Sequence, residues 1–199
     1  MDAKMSSSTT LPERQELKAN WLKYSDEGHK AFESKRYAFS EIKFLAALKA
    51  AETLADGLKS GEVAKLAKDR EQRADLERLS KTLNNLAAIY HLQGKYQLAE
   101  EAHERCLDVR LDLFGEEHLA TAVTLFNLAV LHCAKRRWEK AEILYKRVLE
   151  IREKLLGQND KQLVPVLKNY STMLQKVERK DEADAMEARA KEIASLNIA

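Results

Sequence analysis

The stretch LNNLAAIYHLQGKYQLAEEAHERCLDVR, Leu83–Arg110, decides the fold, because the chain says it again. Set above LFNLAVLHCAKRRWEKAEILYKRVLEIR, Leu125–Arg152, it matches at Leu83, Asn85, Leu86, Ala87, Ala99, Glu100, Leu107 and Arg110. These fall on Leu125, Asn127, Leu128, Ala129, Ala141, Glu142, Leu149 and Arg152. Every pair lies 42 residues apart, and Gly115 and Gly157 keep the step. A further 42 residues give Leu167, Asn169, Ala183, Arg189 and Ala190, a more diverged copy. Within a copy the apolar spacing is helical, as in Leu76, Leu79, Leu83, Leu86 and Tyr90 at steps of three and four. The turns LQGK, AKRR and VERK then separate two helices. A helical hairpin cannot bury both its faces alone, so successive copies must stack into an all-α solenoid.

The bulk composition agrees. Only six glycines and two prolines punctuate 199 residues, and the good helix formers Ala, Leu, Glu, Lys and Arg dominate. Net charge is +2, from 34 basic and 32 acidic side chains, with no basic stripe, so nucleic acid is not an expected partner. No apolar run is long enough for a membrane span, and the N-terminus has no signal-peptide pattern. Two cysteines, Cys106 and Cys133, make no disulfide framework and suit a reducing cytoplasm.

The order of small and large residues has a family likeness. Leu86-Ala87, Tyr90, Gly94, Tyr96, Ala99, His103 and Cys106-Leu107 resemble the tetratricopeptide (TPR) repeat, with small residues where its two helices approach closely. The period of 42 exceeds the roughly 34 of an ordinary TPR. The extra residues, LDLFGEEHLA and EKLLGQNDKQ, lengthen the second helix and the loop after it, which resembles the kinesin light chain subclass. Leu119 departs from that pattern, standing where the subclass has proline, and Lys180 and Glu187 replace large rings in the last repeat. The resemblance implies a right-handed TPR superhelix of about four repeats.

An earlier copy is visible in SDEGHKAFESKRYAFSEIKFLAALKAAE, with Gly28, Tyr37, Ser40, Phe44, Ala47 and Leu48 on the repeat positions. From Gly28 to Ala87 is 59 residues, 17 more than the period. The expected organisation is therefore a disordered segment 1–20 and a single TPR domain 21–196. Its repeats fall near 21–56, 80–113, 122–155 and 164–196, with an insertion around 57–75 that lengthens both flanking helices. The last helix, DEADAMEARAKEIASL, offers few large apolar groups, as a terminal repeat with a solvated outer face should.

No catalytic motif occurs: no HExxH, no glycine-rich phosphate loop, no G-x-S-x-G. His103 and Cys106 share a helical face, but alignment puts them on Tyr145 and Val148, core positions, and a structural zinc needs four donors. His132 replaces Tyr90 facing the core and Cys133 faces the expected groove, neither beside a base. The expectation is a non-enzymatic protein with no cofactor and no metal.

The repeated asparagines carry the functional lead. Asn is a poor helix-interior residue, because its side chain competes for backbone hydrogen bonds. The family resemblance implies that Asn85, Asn127 and Asn169 form a ladder on the concave face, pairing with the backbone of an extended peptide. An amide both donates and accepts, so it can satisfy a peptide unit without reading its side chain. By the same alignment Lys81, Asn84 and His91, then Phe126 and Val130, then Lys168 are groove neighbours, with Arg110 and Arg152 near the groove mouth. The cations favour a partner with acidic residues, and Phe126 with Val130 an apolar side chain. A plainer reading stays open, in which the asparagines bond between adjacent helices and the arginines form surface ion pairs. The function expected is a protein–protein adaptor; the alternative is a structural module acting through homo-oligomerisation.

Overall fold

The computed structural model describes residues 10–56 and 70–196. Its helices are α1 (Leu11–Glu33), α2 (Tyr37–Leu54), α3 (Arg70–Leu92), α4 (Tyr96–Phe114), α5 (Leu119–Ala134), α6 (Trp138–Leu156), α7 (Leu163–Lys176) and α8 (Lys180–Leu196). The described residues contain no strand. Contacts divide the chain into two compact units, Met1–Leu113 and Phe114–Ala199, where repeat arithmetic alone gave a single domain. Each unit holds two hairpins.

One turn closes all four hairpins. Its middle residue takes a left-handed conformation: Lys35 (φ 57°), Gly94 (φ 72°), Arg136 (φ 55°) and Glu178 (φ 63°). The next residue's N–H donates to the carbonyl five positions back, Arg36 to Ala31 (2.9 Å), Lys95 to Tyr90 (2.8 Å), Arg137 to His132 (2.8 Å) and Arg179 to Leu174 (3.0 Å). This is the Schellman closure, which satisfies helix-end carbonyls and reverses the chain. Only one of the four turns uses the glycine that such a backbone prefers.

Behind the turn the two helices of a hairpin approach closely. Ala99, Ala141 and Ala183 have no exposed surface, as expected of positions that admit only a small side chain. In the first hairpin Gly28 lies under the Phe44 ring; a β-carbon there would sit 2.8 Å from a ring carbon. Ser40 Oγ donates to the Gly28 carbonyl at 2.8 Å. The last hairpin mirrors this bond, with Ser171 Oγ donating to the Ala183 carbonyl at 2.8 Å. In the second hairpin Cys106 Sγ donates to the Ser80 carbonyl at 3.2 Å.

The core of the second unit gathers Tyr145, Val148, Leu163, Leu167, Tyr170, Leu174 and Ile193 around Ala129 and Ala141. Each such large side chain, fully buried, contributes on the order of 2 kcal/mol of apolar transfer. Tyr145 and Tyr170 stack with centroids 5.5 Å apart. Tyr170 donates its hydroxyl to Glu142 at 3.0 Å, and Arg179 and Lys146 reach the same carboxylate at 2.6 and 2.7 Å. Those donors, Arg179 first, hold the Glu142 carboxyl down at about 2.

Helix lengths correct two expectations. α1 starts at Leu11, so residues 11–20 of the segment expected to be disordered are helical, capped by Thr10 and Glu13. Residues 1–9 lie outside the described residues. The insertion lengthens α3, which has 23 residues against 16 and 14 for α5 and α7, but α2 ends at Leu54 with an ordinary 18. Positions 57–69 of the insertion lie outside the described residues. The physical reason is ionic: the lengthened ends of α1 and α3 are joined by Arg14–Asp75 and Lys18–Glu71. Asp75 is fully buried and also takes Arg78 Nη1 at 2.6 Å. Burial pushes its carboxyl up against the pull of both arginines.

Candidate functional site

Three helices of the first unit converge on a cleft of about 260 Å³. α1 contributes Trp21, Ser25 and His29, whose spacing of four puts them on one helical face. α3 contributes Lys81, Thr82, Asn84 and Asn85, and α4 contributes Arg110. None of the eight lining residues is acidic.

A hydrogen-bond frame fixes the walls. Trp21 Nε1 donates to Thr82 Oγ1 at 2.9 Å, and Thr82 Oγ1 donates to the Arg78 carbonyl at 2.8 Å. The Arg78 guanidinium lies 5.5 Å from the Trp21 ring centroid, a cation–π contact. Across the cleft, Asn85 Nδ2 meets His29 Nε2 at 3.1 Å. An amide nitrogen only donates, so Nε2 must accept and the proton sits on Nδ1. That proton points at the Ser25 carbonyl, 2.7 Å away. Ser25 is 7% exposed, and its buried hydroxyl has no hydrogen-bond partner. Arg110, also 7% exposed, brings a guanidinium to the same cleft.

The tetratricopeptide repeat sequence profile matches residues 78–154 and 127–195, more than half of the chain. This chain is a TPR protein. The fold class is the all-α TPR class that the period implied, with four hairpins among the described residues. Among solved structures, a kinesin light chain variant from Podosopora anserina with nearly identical TPR-like repeats is similar at a TM-score of 0.67. It shares 14% identity over 94% of this chain and 78% of that one. BtubC (BKLC) from P. vanneervenii is similar at a TM-score of 0.57 and 24% identity, over 89% of this chain and 73% of that one. At such identities the likeness is one of fold. No curated protein sequence matches the chain.

Within this TPR protein the cleft gathers four of the sequence-selected residues: Lys81, Asn84, Asn85 and Arg110. The others lie elsewhere. His91 is half-buried with its ring edge-on to Tyr96 at 5.6 Å, and burial lowers its pKa. In the second unit Asn127 and Val130 are half-buried on α5, and Lys168 is exposed on α7. Asn169 is exposed and turns its amide back onto its own helix, Nδ2 donating to the Pro165 carbonyl at 2.8 Å. The half-buried Phe126 ring lies 6.2 Å from Tyr145, with the Arg152 guanidinium 5.7 Å above it.

The two arginines are buried, unlike the surface ion pairs of the plainer reading. Arg152 is 6% exposed and donates to the Gln162 carbonyl just ahead of α7, so it clamps the loop after α6; burial lowers its pKa. A guanidinium suits this use because its five donors can serve several carbonyls at once. For Asn85 the bond to His29 is of the helix-to-helix kind that the plainer reading anticipated.

Trp21, Ser25, His29 and Thr82 were missed by sequence. A usable signal existed for one of them: the 59-residue step places Ser25 on Asn84, a position already selected. His103, Cys106 and His132 are buried, as alignment placed them. Cys133 Sγ lies 3.6 Å from the Tyr145 hydroxyl, and burial pushes its thiol up, away from nucleophilic use. No three His, Cys, Asp or Glu side chains gather as metal ligands among the described residues. No described helix is long and apolar enough to cross a membrane.

Proposed function

We propose that this TPR protein is a non-enzymatic cytoplasmic adaptor that binds an extended segment of a partner protein, anchored at the cleft between α1 and α3. TPR folds serve as protein–protein interaction modules, and fold alone leaves the surface open. The observation that carries the choice is the cleft's inventory. Amides of Asn84 and Asn85, the Ser25 hydroxyl, Lys81 and Arg110 converge on one cavity whose rigid walls are tied by the Trp21–Thr82 and His29–Asn85 bonds. Such a donor-rich wall suits peptide carbonyls and acidic groups. Within the second unit, Asn127 and Asn169 are proposed as a separate contact of the same amide kind, for which Asn169 would exchange its own-helix bond for a peptide one.

The test is selection of a random-peptide display library on the purified protein, followed by fluorescence anisotropy of enriched peptides. Asn85→Ala should weaken them about three- to tenfold, the value of a hydrogen bond or two, with the melting temperature nearly unchanged. A library that yields no binders, or binders indifferent to Asn85→Ala and Lys81→Gln, removes the adaptor reading.

A further inference from the structure

The cleft's composition reaches beyond peptide backbone. Two cations, Arg110 and Lys81, meet there with the Ser25 hydroxyl, the Asn84 and Asn85 amides and no acidic side chain. Lys81 is exposed, and Glu77 on its own helix is 3.9 Å away, a loose surface contact. Ser25 is the sharper observation, since a buried hydroxyl without a partner is a cost that a ligand oxygen would remove. Arg110 brings a planar guanidinium with five donors to the same wall.

A single carboxylate is satisfied by one guanidinium in a two-point contact. Two cations and several neutral donors instead match a group with three terminal oxygens and a charge near −2, which is a phosphomonoester. We infer that this cleft is a phosphoryl-binding subsite, and that the partner segment docks when it carries a phosphorylated side chain. The inference rests on the adaptor reading, because the phosphoryl group is presented by the bound segment. Trp21 on the α1 wall gives the site an internal reporter.

The test uses the full chain carrying Trp138→Phe, which leaves Trp21 as its one indole. It is titrated, by Trp21 fluorescence, with three capped pentapeptides alike except for a central phosphoserine, glutamate or serine, and with inorganic phosphate. The phosphoserine peptide should bind at least tenfold tighter than the other two, with the preference falling five- to tenfold in Lys81→Gln and three- to tenfold in Ser25→Ala. Both substitutions spare Arg110, whose removal from a buried position could cost the fold. Inorganic phosphate should displace the peptide at a higher concentration; phosphate binding as tightly as the peptide would make the site one for the free anion and overturn the inference. Equal binding of all three peptides overturns it too, as does a preference that survives Ser25→Ala with Lys81→Gln. Library-selected peptides that bind through Asn85 without regard to phosphorylation would leave the adaptor reading standing alone. If no peptide of either kind binds, that reading falls with it.

Discussion

Two stretches of helix one period apart, 81–85 in the first unit and 123–127 in the second, share a framework and differ in what they make of it. Leu83, Leu86 and Ala87 are buried as Leu128 and Ala129 are. Between these fixed points the chain places Lys81 and Asn84 in one copy, Val123 and Phe126 in the other. In the first copy they help to line the cleft. In the second, the Phe126 ring comes against Tyr145 and under the Arg152 guanidinium, closing an apolar surface. The second helices of these hairpins diverge in the same sense: His103 on α4 stands where Tyr145 stands on α6. The lesson is that repeat positions fixing the hairpin are separable from those that write a surface on it.

The largest effect of the difference should appear in acid. His103 is 2% exposed, its Nδ1 has no hydrogen-bond partner, and burial lowers its pKa to about 4, with His91 and Arg110 adding positive charge nearby. A histidine with its pKa lowered in the folded state takes up protons more readily when unfolded, where the value is about 6.5. Stability is therefore undiminished above that value, declines as pH falls below it, and levels off below about 4. At pH 4.5 the loss is about 2–3 kcal/mol relative to pH 7. His103→Tyr, which copies the residue of the next repeat, should remove most of that sensitivity. Urea melts at the two pH values decide it: equal acid losses in wild type and variant would assign the sensitivity to other groups.

Exchanging the surface positions should matter next. Lys81→Val with Asn84→Phe gives the first unit the second's side chains, leaving the fixed positions alone. Binding of any peptide recognised by the cleft should fall at least tenfold, about 1.4 kcal/mol. The folded state should be kept, since neither residue belongs to the buried framework. Circular dichroism and anisotropy measured together separate the two effects, and undiminished binding would move the recognition surface elsewhere.

How much of this was legible follows from the same division. The period, the hairpins and the small residues Ala99, Ala141 and Ala183 could be read because they are local and repeated. Lys81, Asn84, Asn85 and Arg110 were found because they sit at repeat positions around one of these hairpins. Trp21 and His29 were not, because the insertion breaks the register and their roles depend on bonds to Thr82 and Asn85, 61 and 56 residues away. Nor could sequence tell that Arg152 turns inward, since its partner is a backbone carbonyl and a carbonyl leaves no mark in the alphabet. The start of α1 at Leu11 was hidden similarly, in the pairing of Arg14 with Asp75.

The smallest effect tests the fixed part of the comparison, where the units agree. All four hairpin turns share one backbone path, yet Gly94 alone is a glycine; Lys35, Arg136 and Glu178 hold left-handed φ values of 57°, 55° and 63° with a β-carbon present. That conformation costs an L-residue about 1 kcal/mol, because its β-carbon crowds the following carbonyl, whereas glycine is spared. Part of the gain is offset by the greater freedom of glycine in the unfolded chain. Lys35→Gly, Arg136→Gly and Glu178→Gly should each stabilise by about 0.5 kcal/mol, and Gly94→Ala should destabilise by about 1 kcal/mol. The asymmetry is informative, because Lys35 and Glu178 lie in different units. Similar gains at both, read from denaturant midpoints with unchanged slopes, would show that the turn carries one cost wherever it occurs. A loss at either would mean that its side chain contributes more than its backbone strain removes.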